Sequence, residues 1–154
     1  MAHAKLDAVL NVSPVSNEVL YDFKIGPNGD IETEDQLDTA ILVSLFTDRR
    51  ASSAEVVKPQ YRRGWIGDLE TPADLYGSML WLFEQSRLTG SVAAKIGSFG
   101  KLALDWMVRD GIATEVSARA IVKTTRVDLK VDLKKPNSPA EARSFALWEN
   151  TGRG

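Results

Sequence analysis

Residues 126–134 read Arg-Val-Asp-Leu-Lys-Val-Asp-Leu-Lys, and no other feature narrows the fold of this chain as far. Val127, Leu129, Val131 and Leu133 alternate with Arg126, Asp128, Lys130, Asp132 and Lys134. A period of two sustained this long gives one apolar and one charged face to a β-strand, and gives no face at all to a helix. Such a strand needs partners, and the sequence offers them on both sides. Upstream, Val116, Ala118, Ala120 and Val122 alternate with Ser117, Arg119 and Lys123. Downstream, Pro136-Asn137-Ser138-Pro139 supplies a turn, and residues 143–148 return as a third strand. Residues 112–150 are therefore expected to form a small antiparallel sheet with one buried face.

Before residue 112 the apolar period is helical. Leu37, Ile41 and Leu45, joined by Ala40, mark a first helix that Thr33 or Asp35 can cap and that ends near residues 47–50. A second is expected over 74–88, with Leu75, Met79, Leu82 and Phe83 as its stripe, widened by Tyr76 and Leu80. A third, capped by Ser91, presents Val92, Ile96, Phe99, Ala103, Trp106 and Met107 and stops at Gly111. The connection 51–73 is long and irregular, broken by Pro59, Gly64, Gly67 and Pro72, and such a loop in a compact domain usually has a function. Ahead of these, residues 1–30 hold short apolar pieces. Residues 19–25 read as a strand that returns at 31–33 through Asn28-Gly29, a pair suited to a tight hairpin turn. The expected fold is α+β: one domain over 1–154, with an N-terminal hairpin region (1–30), a helical part (35–111) and the terminal sheet.

Chemistry is scarce. With 19 basic and 21 acidic side chains the net charge is −2, which argues against a nucleic-acid or membrane-surface binder. The absence of cysteine excludes disulfides and thiolate sites and fits a reducing cytoplasm. No secretion signal or membrane-length apolar run is seen, so export would depend on lysis or on a particle. His3 is the only histidine, which rules out a histidine triad or a multi-histidine metal site. No catalytic, cofactor or metal residue is expected. Gly97-Ser98-Phe99-Gly100-Lys101 lacks the spacing of a phosphate loop and lies in a helical pattern, where its small residues allow close packing. Two of Asp68, Glu70 and Asp74 could form a carboxylate pair of the kind that cleaves glycosides. Helix capping explains the same residues with fewer requirements.

One stretch is less ordinary. Arg62-Arg63-Gly64-Trp65-Ile66-Gly67-Asp68 places bulky and charged residues between flexible ones. Arginine and tryptophan are enriched at interface hot spots, and the flanking glycines free the indole to turn outward. The same residues equally fit a loop folded over its own core, with Trp65 as a plug and Arg62 or Arg63 paired to Asp48 or Asp68.

Further pieces accompany that stretch in order. They are residues 37–50 (Leu-Asp-Thr-Ala-Ile-Leu-Val-Ser-Leu-Phe-Thr-Asp-Arg-Arg), Gly77-Ser78-Met79-Leu80-Trp81-Leu82, Ala103-Leu104-Asp105-Trp106-Met107 before Asp110-Gly111, and Leu147-Trp148-Glu149. With Arg63–Asp68 they resemble the Mu-type phage baseplate protein family, related to the contractile-tail sheath initiators of the lysozyme-like baseplate wedge group. The resemblance runs from about residue 30 to 150. It departs at Ile66, where the family usually has a second tryptophan, which suggests an apolar packing position. It departs again at Met107-Val108-Arg109, where related chains carry Glu-Pro-Arg, so that only Arg109 has a counterpart.

The resemblance implies a structural subunit of a virion tail baseplate, made in the host cytoplasm and present in several copies around the tail axis. Its implied partners are other wedge proteins, the sheath protein and the tube or hub, with no nucleic acid and no membrane. On that reading Arg62, Arg63, Trp65 and Asp68 form one interface, and Arg126, Asp128, Lys130, Asp132 and Lys134 form another that sets the register of an added strand. Gly64, Gly67, Gly77, Trp81, Trp106 and Trp148 shape the fold. The competing readings are a peptidoglycan-cleaving tail enzyme acting through Asp68 or Glu70, and a nucleic-acid module using Arg49, Arg50, Arg62 and Arg63.

Overall fold

The computed structural model describes residues 7–8, 10–15, 18–23, 25–30, 33–34, 37–56, 58, 60–70, 75–84, 86–124 and 126–149. Contacts divide the chain into two compact units, Met1–Val43 and Ser44–Gly154.

In the first unit β1 (Asp7–Ala8) pairs antiparallel with β4 (Thr33–Glu34), and β2 (Leu10–Val15) with β3 (Glu18–Phe23). Among the described residues the hairpin expected through Asn28-Gly29 is not seen: the strand at 18–23 pairs with β2, Thr33 pairs with Ala8, and residues 31–32 lie outside the described residues. The turn itself is present: Gly29 has φ +83, its N–H donates to Gly26 O (3.0 Å), and Gly26 N–H donates to Asp30 O (2.8 Å). Turn chemistry is local and legible, whereas the choice of strand partner is not. Helix α1 (Asp38–Phe46) follows and crosses from the first unit into the second, with Ile41, Leu42 and Leu45 buried and Val43 and Phe46 exposed. Thr33 stands in β4 and so does not cap it, and Asp35 lies outside the described residues.

The second unit is built on helix α2 (Gly90–Arg109) and a three-stranded antiparallel sheet, β5 (Glu115–Val122), β6 (Arg126–Lys134) and β7 (Ala140–Glu149), in that spatial order. Thr89, one residue outside the helix, is its N-cap: the backbone is extended and Oγ1 accepts from Val92 N–H at 3.3 Å. Ser91, expected in that role, already lies inside the first turn. At the other end Gly111 takes φ +75, and Gly111 N–H and Ile112 N–H reach back to Val108 O (3.1 Å) and Met107 O (2.9 Å). This is the six-to-one and five-to-two bonding that satisfies the last carbonyls of a helix.

Alternation along β6 buries Val127, Leu129, Val131 and Leu133 completely, beneath the α2 face that carries Ile96, Leu104 and Met107. Each such side chain contributes about 1.5–3 kcal/mol by leaving water. Leu104 belongs to this core although the expected stripe omitted it. The glycines of α2 let it lie close: a Cβ on Gly97 would come 3.1 Å from Ala118 O, and one on Gly100 would come 2.9 Å from Leu129 Cδ2. The register between β6 and β7 shifts at Val127/Asp128, leaving Leu147 without a partner opposite, as in a β-bulge.

The helix expected over 74–88 does not form among the described residues, where the span holds only a 3-10 turn, Leu80–Phe83. Gly77 has φ +91, and Ser78 forms a parallel bridge with Asp48: Ser78 N–H donates to Thr47 O (2.9 Å) and Arg49 N–H to Ser78 O (2.8 Å). Backbone groups bonded across the chain cannot also make a helical ladder. A Cβ on Gly77 would stand 2.3 Å from Thr47 O, whereas one on Gly111 would meet nothing within 4 Å. Gly77→Ala should therefore cost about 2–4 kcal/mol, strain and collision together, and Gly111→Ala only about 1–2 kcal/mol of backbone strain. Urea denaturation of the two variants measures the difference, and equal losses would contradict this account of the bridge.

Candidate functional site

The bridge between residues 47–49 and Ser78 carries the unusual loop. Ser78 Oγ donates to Leu45 O (2.5 Å) and accepts from Leu80 N–H (3.2 Å), and Trp81 Nε1 donates to Arg49 O (2.9 Å). Ala51 and Arg62 then close a loop at its base. Ala51 N–H donates to Arg62 O (3.1 Å), and Arg62 Nε returns a bond to Ala51 O (2.5 Å). Arg62 is thus a latch within the chain.

Arg63 has φ +45 and lies beside Trp81, its guanidinium 4.9 Å above the ring. Nη1 is 3.1 Å from Asp48 Oδ2 and Nη2 is 2.8 Å from Glu84 Oε2. The hydrogen bond to Glu84 is the main reason its pKa lies above the ordinary value, with desolvation opposing and the charges of Glu84 and Asp48 adding. These pairs are well exposed, so their worth is in direction more than in energy. Gly64, at φ +122, passes so close to Arg50 that a Cβ would stand 2.8 Å from Arg50 Cβ.

Beyond this clamp the chain makes a 3-10 turn, Ile66–Leu69. Residues three apart eclipse in such a turn, which places Ile66 and Leu69 on one side. They are 79% and 76% exposed, and Trp65 beside them is 50% exposed. The indole packs across Gly67, where a Cβ would be 2.3 Å from its ring, and lies 5.9 Å from the Tyr76 ring. Asp68 is buried; its Oδ1 accepts from Tyr76 N–H at 3.0 Å, and among the described residues its Oδ2 has no hydrogen-bond partner. Trp65 is accordingly braced on one face and open on the other. Ile66, expected to be a packing position, is among the most exposed apolar side chains described.

Asp68 is committed to a backbone N–H, Glu70 is exposed, and Asp74 lies outside the described residues. Among the described residues no three His, Cys, Asp or Glu side chains are grouped to hold a metal.

The second set lies on the sheet. Register places Lys130, Asp132 and Lys134 on the face away from α2, opposite Arg119, Ser117 and Glu115 of β5 and Ser144, Ala142 and Ala140 of β7. Asp128 shares that side but is only 4% exposed, which corrects its expected place on a solvated face. Lys123 pairs with Asp128 Oδ2, and Arg126 Nε is 2.9 Å from Oδ1. Burial raises its pKa, but the Lys123 and Arg126 contacts together outweigh this and leave it below the usual carboxylate value. No described hydrogen bond or ion pair joins this cluster to the loop. Trp106 donates from Nε1 to Ser44 Oγ (3.0 Å), and the Trp148 backbone pairs with Val127.

Sequence reasoning did not find Tyr76, Ser78 or Glu84. The available signal was Gly77, which interrupts an apolar period where a helix would not want it.

The profile of a family described as Phage protein GP46 matches residues 37–140, a span that encloses the loop, its clamp and most of the sheet. The baseplate protein gp46 of Escherichia phage Mu is 33% identical over 93 residues, covering 59% of this chain and 63% of that protein. The Mu-like prophage FluMu protein gp46 of Haemophilus influenzae is 31% identical over 117 residues, covering 75% of this chain and 81% of that one. The match to the Mu protein thus spans a little under two thirds of its length.

Two carboxylates give contrasting expectations. Asp68→Ala strands the Tyr76 N–H and should cost about 1–2 kcal/mol, whereas Asp68→Asn keeps an acceptor and should cost less than about 0.5 kcal/mol. Because the folded pKa of Asp128 is lowered, its contribution is present above the unfolded carboxylate value and lost as pH falls through the folded one. The stability gap between wild type and Asp128→Asn, about 1–2 kcal/mol at neutral pH, should therefore close below about pH 4. Denaturation series at several pH values check both, and a gap that stayed constant into acid would refute the pairing of Asp128.

Proposed function

The chain belongs to the Phage protein GP46 family, and from that membership we propose that it is a structural subunit of a contractile-tail baseplate in the virion, not an enzyme. The observation that carries the reading is the family match over residues 37–140, which contains the exposed turn at Trp65, Ile66 and Leu69. Three large apolar side chains held outward on a braced turn are a poor arrangement for an isolated protein and a good one for a subunit contact. The Arg63 clamp fixes their direction before association, which lowers the entropy lost on binding. Wedge neighbours are the natural occupants of this side.

For the sheath, the sheet suggests a route that differs from the one the sequence first indicates. β6 has β5 on one side and β7 on the other, so it can neither accept nor donate a strand. β7 is an outer strand, ten residues long, and its edge, which pairs with no other strand among the described residues, has main-chain groups suited to pairing with an extended segment of a sheath subunit. Copies arranged around the tail axis would then present such edges as a ring on which the first sheath layer is laid. Lys130, Asp132 and Lys134 lie one strand in from that edge, behind the small side chains of Ser144, Ala142 and Ala140 on β7, and by reaching across them would favour one register over others.

Ile66→Ser with Leu69→Ser separates contact from packing, since both side chains face solvent in the subunit alone. The doubly substituted protein should unfold within about 0.5 kcal/mol of wild type. It should nevertheless fail to enter baseplates when supplied in place of the natural copy. Normal incorporation with normal stability would remove the turn from the interface.

A further inference from the structure

A cleft of about 360 Å³ lies between the segment that holds Leu75 and Tyr76 and the outer side of α2. Its lining is partly apolar: Leu75 and Trp106 are half-buried, and Leu102 is 47% exposed although it stands in the middle of a helix. Its charges are unequally satisfied. Asp105 is bound by Lys101 at 2.7 Å, and Asp110 lies 3.4 Å from Arg109. Arg49 also lines the cleft, and among the described residues no hydrogen bond or ion pair takes up its guanidinium. Glu55, which feels the Arg49 charge, is turned instead to Ser52 N–H at 2.7 Å. The backbone of Arg49 is fixed at both ends, by Ser78 O and Trp81 Nε1, so its side chain hangs from a rigid stem.

We propose that this cleft binds a segment of a partner chain that carries an apolar side chain of leucine type next to a carboxylate. The apolar member covers Leu102 and Trp106, and the carboxylate takes the free donors of Arg49 in the forked geometry that guanidinium favours. A basic segment would set like charges against Arg49 and Arg109, and a wholly apolar one would bury Arg49 without a counter-charge. Tyr76 joins the cleft to the exposed turn, since its ring packs on Trp65 and its N–H is held by Asp68. One partner could therefore engage both surfaces. The inference rests on the baseplate reading only for the source of the segment.

The test uses the full isolated chain, isotope-labelled, titrated with a capped heptapeptide alternating leucine and glutamate and with its glutamine and lysine counterparts. The glutamate peptide should move the Trp106 indole resonance saturably, about tenfold more tightly than the glutamine peptide. Arg49→Gln should abolish that preference while leaving the fold unchanged by circular dichroism, because only the backbone of Arg49 serves the bridge. Leu102→Asp should abolish binding of both peptides. Absence of a saturable shift, equal binding of glutamate and glutamine peptides, tighter binding of the lysine peptide, or an undiminished preference in Arg49→Gln would each overturn the proposal. A negative result here leaves the baseplate reading of the exposed turn standing. Failed incorporation with normal peptide binding would do the reverse.

Discussion

Two backbone hydrogen bonds, from Ser78 N–H to Thr47 O and from Arg49 N–H to Ser78 O, hold the residues after α1 against the residues before the Leu80–Phe83 turn. Gly77 makes them possible, because only a residue without a Cβ can take φ +91 so close to Thr47 O. Nearly every contact of the loop hangs from this bridge. Asp48 and Glu84, on its two sides, receive Arg63; Trp81, anchored on Arg49 O, lies under the Arg63 guanidinium; Tyr76, one residue before Gly77, receives both the Asp68 carboxylate and the Trp65 ring. The outward direction of Trp65, Ile66 and Leu69 follows from those attachments and not from any preference of the turn itself.

The sheet plays the complementary part of a fixed platform. α2 covers β5 and β6 through a face that includes two glycines, and the fully buried row from Val127 to Leu133 leaves little freedom to shift register. Asp128 shows how the charged side is ordered too. Its burial is tolerable because Lys123 in the β5–β6 turn and Arg126 on its own strand reach it from both ends. The outcome is a sheet whose centre is closed and whose remaining hydrogen-bonding capacity is at its margin, which is where an assembly subunit can use it.

What could be read from the sequence follows the range of the forces involved. The period of β6, the Pro136–Pro139 turn, the glycine stop of α2 and its close-packing glycines depend on neighbours a few residues away, and all were legible. The α+β class and the family resemblance were legible for the same reason, through motifs in order. Residues 74–88 were misread because apolar spacing alone cannot distinguish a helix from an extended segment bridged to the residues after α1, thirty positions earlier. The partner of β3 was missed likewise. Of the candidate site, the arginines, the indole and Asp68 were read as one cluster, and the pairing of Arg63 with Asp48 was among the alternatives, but the other individual tasks were not visible. Arg62 latches a loop, Asp68 caps Tyr76, and the side chains that meet solvent, Ile66 and Leu69, were one underrated and one overlooked.

In the proposed function the braced turn is the chain's principal contact and the bridge its support. Its most direct test is a cryo-electron microscopy reconstruction of a baseplate containing this protein, read at residues 65–69. The prediction is that Ile66 and Leu69 lose nearly all their exposed surface in an apolar socket of a neighbouring subunit, with Arg63 still held between Asp48 and Glu84. A particle that contains the chain in full occupancy while Ile66 and Leu69 remain open to solvent would contradict it.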